Sequence, residues 1–479
     1  RLLETRRAGL EDGGRGEHAL GIGVRLRGAS QIARGPREVA RFGPPAREAS
    51  TRSIANRPSR SSMFGCARAA AVGGTLTELR LVGASFGEAR VAHLLRSVPT
   101  AWFDELPHLA AIDNTIDEAV QRAIGPLPTS ALEAARAPIR WGGLGLPLVA
   151  AQAAPRFLEG VLRAADRLDA LGVHIPVGFQ AAWGTFAASY PTASANAAER
   201  ARRLLAGEDS GGIKLQRGEL FEGVCRLSQR VTAATATTRD ERRSLCAAGA
   251  GHAWVLAPTK GATPDAIGER EARVYLRFVL GAPVVVEDRC VCCGEECDTH
   301  GDHVVDCGGR TRRHDAVKQT VFSLAKAAGL SPQMEASCEG LARPADVLVP
   351  LLNGRTTAVD ITVRNPLAPS SAARGHGGHF SPATCLSQAA KEKQRLYGAA
   401  LQRHGWWQEV FGVSVFGVLA PRAAAVTRTL AELIAARRGT SVSAETAAAR
   451  RAVAVAVARG VAAQLLQQSA TASDASGEA

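Results

Sequence analysis

The spacing of apolar residues predicts helices over most of the first two thirds of the chain. Between residues 61 and 150, apolar side chains recur every three or four positions, as in TLTELRLVGASFGEARVAHLLRSVP and AIDNTIDEAVQRAIG. This spacing places them on one face of a helix. Residues 151–284 repeat Ala-rich helical patterns between Gly and Pro breaks, which predicts an all-helical connector without recognisable chemistry.

A different pattern follows residue 311. The stretch RRHDAVKQTVFSLAKAAGL is expected to form a helix with Val317, Val321, Leu324 and Ala325 on one face. Two β-type runs come next, ADVLVPLL and TTAVDITV, with Asn353-Gly354 between them. An Asn-Gly pair between such runs is a strong signal for a hairpin, so the two strands are predicted to pair antiparallel.

The rest of the pattern completes a mixed α/β core. A helix is expected over residues 384–403, followed by a third strand in GVSVFGVLA and by a helical C-terminal tail over residues 421–479. The order helix, hairpin, helix, strand gives residues 311–420 the size of one domain. The expected fold class is therefore α+β and multidomain, with a mostly helical N-terminal region before the α/β core.

The excess of basic residues indicates a polyanionic partner. The 479-residue chain has a formal net charge of +13. Residues 1–60 hold 13 Arg against 6 Asp and Glu, so +7 of the excess lies there. This segment is rich in Arg, Gly, Ser and Pro without periodicity, which is typical of disorder. Nucleic acid is the commonest partner of a basic chain, although a solvated Arg-rich surface would carry the same charge.

The sequence gives no sign of secretion or of membrane insertion. Its first residues are charged, and it contains no run of about 18 apolar residues. The chain starts with Arg, and its only methionines are Met63 and Met334. We therefore expect it to be a fragment of a longer reading frame.

A dense cysteine and histidine cluster predicts a zinc site. Five of the ten cysteines lie in CVCCGEECDTHGDHVVDC, residues 290–307, where a C-x2-C pair precedes an H-x3-C pair. Four such ligands favour tetrahedral Zn²⁺, which would staple a loop without a core of its own. Cys292 and His300 are further candidates, and a loop of free cysteines is the alternative. The ligands that the spacing selects are Cys290, Cys293, His303 and Cys307.

Two carboxylates and a lysine form a second candidate site. Asp346 starts the first predicted strand and Asp360 lies within the second, so a hairpin can bring both to one side. Converging carboxylates suit Mg²⁺. Lys393 and Tyr397 are four residues apart on one helical face, where the lysine could orient a water or offset negative charge. Taken singly, each is more often a solvated surface residue.

The order of these motifs resembles the C-terminal region of site-specific non-LTR retrotransposon proteins. A Cys/His knuckle is followed by RHD, RPADV, VDITV and EKQRLY. That family carries a restriction-like endonuclease of the PD-(D/E)xK superfamily after a reverse transcriptase. The upstream LRSVP and IRWGGLGLP are similar to the thumb and linker of such polymerases. The likeness covers roughly residues 80–150 and 285–420.

This resemblance implies roles for individual residues. Asp346 and Asp360 would hold a catalytic Mg²⁺, with Lys393 as the displaced catalytic lysine and Tyr397 as its neighbour. The knuckle would bind structural Zn²⁺. The basic residues around the site, expected to contact nucleic acid, are Arg313, His314 and Arg343.

The sequence departs from the family pattern at several positions. Ala345 interrupts the usual Pro-Asp dipeptide, and Leu396 replaces a common basic residue. Thr362 stands two residues after Asp360 where a lysine is usual, so the lysine must come from the helix. The chain contains no Asp-Asp pair, and we therefore expect no polymerase centre in it.

The expected domain order follows from these motifs. It runs from a low-complexity segment (1–60) through a thumb-like helical region (61–150) and the connector (151–284) to the knuckle (285–310). The restriction-like endonuclease core (311–420) and the helical tail (421–479) complete it.

The expected function is metal-dependent nicking of DNA, which would expose a 3′-hydroxyl that primes copying of the element's RNA. DNA, and possibly element RNA, are the implied partners, and the nucleus is the implied location. One alternative is an inactive relic that serves as a nucleic-acid-binding zinc module. Another is a zinc-stabilised host protein that binds other proteins through its helical tail.

Overall fold

The fold is known from a computed structural model. All the residues it describes fall in one compact unit that spans residues 50–479. The predicted segment 1–60, much of the region 61–107, and Arg343 lie outside the described residues. The structure describes residues 77–79, 82, 92–97, 108–146, 148–172, 175, 178–209, 212–235, 238–249, 251, 267–307, 310–337, 345–368 and 380–475.

Helices make up the N-terminal part of the described chain, as the three- and four-residue spacing predicts. Nine α-helices and one 3-10 helix, Ile139–Trp141, have assigned bounds among the described residues before the cysteine cluster, and no strand is assigned there. The bounds of the α-helices are α1 Ala92–Ser97, α2 His108–Ile124, α3 Thr129–Arg136, α4 Val149–Ala170, α5 Phe179–Ser189, α6 Ala195–Ala206, α7 Glu219–Thr235, α8 Arg239–Ala247 and α9 Glu269–Leu280.

The C-terminal part mixes helices with one sheet, which confirms the α+β class. Its helices are α10 Asp302–Asp306, α11 Arg310–Ala327, α12 Pro382–Arg403, α13 Pro421–Arg438 and α14 Val442–Ala475. Its strands are β1 Gln333–Met334, β2 Val347–Leu352, β3 Arg355–Arg364 and β4 Trp407–Ser414. The strand order is β1-β2-β3-β4.

The predicted hairpin is present. Strands β2 and β3 pair antiparallel, with Val347 opposite Val359. The turn is made by Asn353 and Gly354, whose φ angles are +53° and +74°. A two-residue type I′ turn needs positive φ at both central positions, which is why Asn-Gly marks it.

The third predicted strand is displaced. We expected it over GVSVFGVLA, whereas β4 begins at Trp407 and ends at Ser414, parallel to β3. The residues after Ser414 turn back instead, and Leu419 forms an isolated antiparallel bridge with Val413. The apolar run therefore covers both the end of a strand and a turn, which a hydrophobic pattern alone does not separate.

The two faces of the sheet pack against different helices. Val359 and Ile361 of β3 enter the largest apolar core, together with Val317 and Val321 of α11. On the opposite face, Ala358 packs with residues that include Leu401 of α12. Alternation of side chains along β3 thus sends Asp360 to the α12 face.

The C-terminal helices are part of the main core, contrary to the expected tail. Leu430 of α13 and Val453, Val457 and Leu465 of α14 are almost fully buried in it. The α14 helix contacts α9, α10, α11 and α13. The expected boundary at residue 420 therefore separates no packed units, because these helices cover the same side of the sheet as α11.

The helical region joins the α/β core through α9. One face of α9 places Ala272, Leu276 and Leu280 in a second apolar cluster with α2 and α3. Its other face places Tyr275 and Phe278 in the core that covers the sheet.

Within the described residues, no helix is both long enough and apolar enough to cross a membrane.

Candidate functional site

The structure brings together all four predicted zinc ligands. The candidate donor atoms of Cys290, Cys293, His303 and Cys307 lie within 4.8 Å of one another. The Sγ of Cys293 is 3.2 Å from Nε2 of His303. Three sulfurs and one imidazole nitrogen at this separation could hold a metal ion such as zinc.

The turn after Cys290 favours the thiolate form of its side chain. Gly294 donates its N–H to the carbonyl of Cys290 at 2.8 Å, which closes the turn. Burial opposes ionisation of Cys290, but the N–H groups of Cys292 and Cys293 and a hydrogen bond from His303 prevail and lower its pKa to about 6. A thiol must lose its proton to bind a metal, so this environment favours the required form.

The neighbouring cysteines and histidine lie outside this set. Cys292 is exposed, and neither it nor His300 belongs to the four-ligand group. Burial and the negative charge of Cys290 raise the pKa of Cys297 to about 12. This environment favours the neutral thiol form of Cys297, which lies outside the four-ligand group.

Two aspartates anchor the Cys/His loop to helix α8. Both oxygens of Asp302 accept from Nη2 of Arg243 at 2.7 Å, and Arg243 is only 1% exposed. Arg239 pairs with Asp302 and with Asp298. Asp298 also accepts backbone N–H groups from the start of α10, including that of His303 at 2.7 Å. These contacts hold α10, which contains the candidate ligand His303 and ends directly before Cys307.

The register of the hairpin sets the second candidate site. Since Val347 pairs with Val359, the next positions along the two strands are Asp346 and Asp360. Residues directly opposite on antiparallel strands project to the same face. The two carboxylates meet across the strands, as the Asn-Gly turn predicts.

Asp346 has its charge stabilised by hydrogen-bond donors. Its Oδ2 lies 3.1 Å from Nε2 of His314 and accepts the N–H of Ile361 at 2.7 Å. Although burial opposes ionisation, the hydrogen bond and charge of His314 and the N–H of Ile361 lower the pKa of Asp346. The hydrogen bond to Asp346, against the effect of burial, raises the pKa of His314 in turn. Asp346 is thus the carboxylate that ionises first.

Asp360 has the opposite character. It is 4% exposed, and burial, together with the charge of Asp346, raises its pKa to about 6 although Lys393 acts against this. Its Oδ1 accepts from Nζ of Lys393 at 3.0 Å. Its buried Oδ2 has no hydrogen-bond partner among the described residues. A buried oxygen of this kind calls for a partner.

Lys393 and Tyr397 lie on one face of α12, as their spacing predicts. The Nζ of Lys393 is 5.7 Å from the ring centroid of Tyr397. Tyr397 packs against the small apolar cluster on this face of the sheet. The carbonyl of Lys393 accepts from the Gln408 side chain at 3.2 Å, which ties α12 to β4.

The predicted nucleic-acid-binding residues occupy different positions. His314 is beside Asp346, and Arg343 is outside the described residues. Arg313 is 1% exposed, and its Nη1 donates to the carbonyl of Val305 and to Oε1 of Gln464. The expected contact of Arg313 with nucleic acid is wrong for this arrangement, because its guanidinium is inside the protein.

Sequence reasoning missed a second ion pair near Asp346. Lys318 is one helical turn after His314, and its Nζ lies 2.7 Å from Glu335 and 2.9 Å from Asp315. Glu335 donates its backbone N–H to the carbonyl of Asp346 at 3.0 Å. The i, i+4 spacing of His314 and Lys318 was the available signal, but Glu335 and Asp346 come from the segments beside β1 and β2, which only the fold brings to this helix.

A scan against protein-family models gives no match for this chain, and no curated protein matches it significantly.

Proposed function

We propose that this chain is a divalent-metal-dependent DNA endonuclease with a restriction-like core, as in the non-LTR retrotransposon proteins that its motifs resemble. One observation carries the proposal. Asp346, directly before β2, and Asp360 of β3 lie opposite each other on the same face of the sheet, and Lys393 reaches the second carboxylate from α12. Two carboxylates and a lysine at one end of a hairpin are the groups that phosphodiester hydrolysis needs.

The carboxylate pair fits Mg²⁺ by its chemistry. Both side chains offer hard oxygen donors, and the buried Oδ2 of Asp360 has no protein hydrogen-bond partner in the described part of the chain. In this proposal Asp346 and Asp360 hold the ion, which supplies Lewis-acid activation of water and of the scissile phosphate. A nearby cation would also favour the ionised form of Asp360, whose pKa is raised to about 6 by burial.

The protein's own cations have distinct tasks in this proposal. Lys393 is 29% exposed at its side chain, so its ammonium can reach both Asp360 and a phosphate at the surface. There it offsets the negative charge that develops on the phosphate during hydrolysis. His314 holds the carboxylate of Asp346 in one orientation. Tyr397 supports Lys393 through its ring.

We further propose Zn²⁺ as the ion of the Cys/His cluster. Three thiolates and one imidazole match the usual donor set of structural zinc, which keeps no open coordination position. The anchors on Asp298 and Asp302 tie this loop to α8. Its task in the proposal is to stabilise the fold beside the endonuclease core.

Nicking of supercoiled plasmid DNA tests the proposal directly. The full wild-type chain is assayed with Mg²⁺ and with EDTA, and the Asp346→Ala variant is assayed with Mg²⁺. Glu409→Gln is the matched control, because Glu409 lies on β4 opposite Val359 and pairs with Arg422. We expect Mg²⁺-dependent nicking that Asp346→Ala abolishes and Glu409→Gln retains.

Two results would overturn the proposal. Nicking that survives in Asp346→Ala would show that the activity comes from elsewhere. Salt-sensitive DNA binding without nicking at any Mg²⁺ or Mn²⁺ concentration would favour the inactive nucleic-acid-binding module.

A further inference from the structure

We propose that metal binding at the Cys/His cluster sets the geometry of the Asp346–Asp360 site, with Arg313 as the positioning residue that connects them. The functional part of this inference rests on the proposed endonuclease. The connection itself is a physical path of buried contacts between the two sites.

The path begins in α10. His303 and Cys307, two of the four ligands, flank the carbonyl of Val305. That carbonyl accepts from Nη1 of Arg313 at 2.9 Å, and both residues are almost fully buried. An ion that fixes both ligands also fixes the peptide between them, and the guanidinium bound to it.

Helix α14 holds Arg313 from the other side. Oε1 of Gln464 accepts from the same nitrogen at 3.0 Å. A Cβ added at Gly460 would lie 2.9 Å from the Cα of Arg313, so only a glycine allows α14 to approach α11 this closely. Arg313 therefore has one available position as long as α10 and α14 keep theirs.

The path ends one residue later. His314 follows Arg313 on α11, and its Nε2 lies 3.1 Å from Oδ2 of Asp346. Consecutive residues on a helix share a rigid backbone, so displacement of Arg313 moves the His314 ring. The hydrogen bond that orients Asp346 then changes, while the strands themselves need not move.

An independent set of contacts docks the Cys/His loop on α14. The side-chain amide of Gln468, which is fully buried, bonds the backbone on both sides of Cys290. Its Oε1 accepts from the N–H of Val291 at 3.1 Å, and its Nε2 donates to the carbonyl of Arg289 at 2.6 Å. A Cβ at Gly301 would meet the side chain of Leu465. The metal loop, α14 and α11 thus form one packed assembly.

Neighbouring residues supply matched controls. Arg312 is exposed and reaches only Gln467 among the bonds described, with Nη1 3.2 Å from Oε1. Arg313→Met removes the connection, whereas Arg312→Met removes an equal charge from the same turn. Arg313→Lys retains the charge and serves as the conservative variant.

The first measurement is the affinity for Mn²⁺, which is detected by electron paramagnetic resonance. Three kinds of sample are compared, all of the full chain. They are the zinc-loaded wild type, the wild type after removal of zinc by a zinc-selective chelator, and the zinc-loaded variants. Asp360→Asn identifies the Mn²⁺ that binds at the carboxylate pair. We expect affinity at this site to fall by about 10-fold on zinc removal and in Arg313→Met, as for partners that orient metal ligands. Arg313→Lys should recover part of the loss, and Arg312→Met should match the wild type.

The second measurement is hydrogen exchange of the α11 amides over residues 310–318, which does not depend on nuclease activity. Zinc removal should accelerate exchange there. Unchanged exchange and unchanged Mn²⁺ affinity after zinc removal would overturn the inference, even if Arg313→Met fails to fold. If wild-type protein binds no Mn²⁺ at the carboxylates but α11 exchange still responds to zinc, the endonuclease proposal fails and the connection stands.

Discussion

Asp346 and Asp360 face each other across strands β2 and β3, yet they hold protons with different strength. Burial opposes ionisation of Asp346, but hydrogen bonds from His314 and from the N–H of Ile361 lower its pKa. Asp360 is buried, which raises its pKa to about 6. Two neighbouring carboxylates with such different proton affinities are typical of a functional site.

The first prediction concerns stability and pH without added Mg²⁺. The fold favours protonated Asp360, so the stability from this group is greatest below its unfolded pKa of 3.8 and is lost as pH rises to about 6. We expect Asp360→Asn to raise the free energy of unfolding at pH 7.5 by about 1–3 kcal/mol. The gain should shrink towards pH 4. Denaturant unfolding of the zinc-loaded protein at both pH values measures this, and a gain that does not depend on pH contradicts it.

The second prediction concerns His314. A hydrogen bond to Asp346 raises its pKa above 6.5, so its contribution to stability is complete below pH 6.5 and is lost as pH rises through the folded pKa. His314→Gln should therefore cost more stability at pH 5.5 than at pH 9. The same unfolding measurement checks it. An equal loss of stability at both pH values would show that Asp346 does not stabilise the protonated form of His314.

The third prediction separates the role of Lys393 from that of the two carboxylates proposed to bind Mg²⁺. Lys393→Met should reduce the rate of Mg²⁺-dependent nicking by about 10²-fold, since a cation next to the reacting phosphate is removed. Its Mg²⁺ midpoint should not increase, because the variant also removes a positive charge from Asp360. Asp360→Asn should instead raise the Mg²⁺ requirement or abolish nicking. Rates measured across a Mg²⁺ titration distinguish these outcomes, and a raised midpoint in Lys393→Met would contradict the assignment.

The fourth prediction tests the zinc ligands with two cysteines that are adjacent in sequence. Cys293→Ser should weaken or abolish zinc binding and lower the melting temperature, because Cys293 belongs to the four-ligand group. Cys292→Ser should do neither, because Cys292 is exposed and outside this group. Metal analysis of purified protein and thermal melts provide the measurements. Zinc lost from Cys292→Ser and retained in Cys293→Ser would show a different ligand set.

The fifth prediction concerns the amide that clamps the Cys/His loop. Gln468→Ala should destabilise the fold by about 0.5–1.5 kcal/mol, since it removes a buried amide that hydrogen-bonds two partly buried backbone groups beside Cys290. Gln467 is exposed, so Gln467→Ala should have an effect below about 0.5 kcal/mol. Equal effects in the two variants would show that the clamp contributes nothing specific.

Local sequence signals were sufficient where the structure is local. The Asn353-Gly354 turn predicted the hairpin, and the spacing of Val317, Val321 and Ala325 predicted the buried face of α11. Both depend on side chains that are close in sequence and on the periods of helix and strand. The strand expected over residues 412–420 was misplaced because an apolar run has the same pattern in a strand and in a buried turn.

Long-range packing could not be predicted in this way. Arg313 is charged and precedes His314, which lies beside Asp346, so its sequence position suggests an exposed residue. In the structure it is buried, and its guanidinium bonds to Val305 and Gln464. Helices α13 and α14 have the composition of a tail and yet complete the main core. Whether a charged side chain is exposed depends on what covers it, and one of the two covering residues, Gln464, is 151 positions away from Arg313.

The sequence by itself determined the four clustered metal ligands, the hairpin and the two carboxylates that the hairpin brings together, because each depends on spacing and turn chemistry within a short segment. Only the tertiary structure decided that His314 hydrogen-bonds one carboxylate, that Lys393 reaches the other, and that Arg313 is buried against Val305 of the Cys/His segment. Those contacts arise where separate elements pack, and their geometry and proton affinities depend on burial that no local pattern contains.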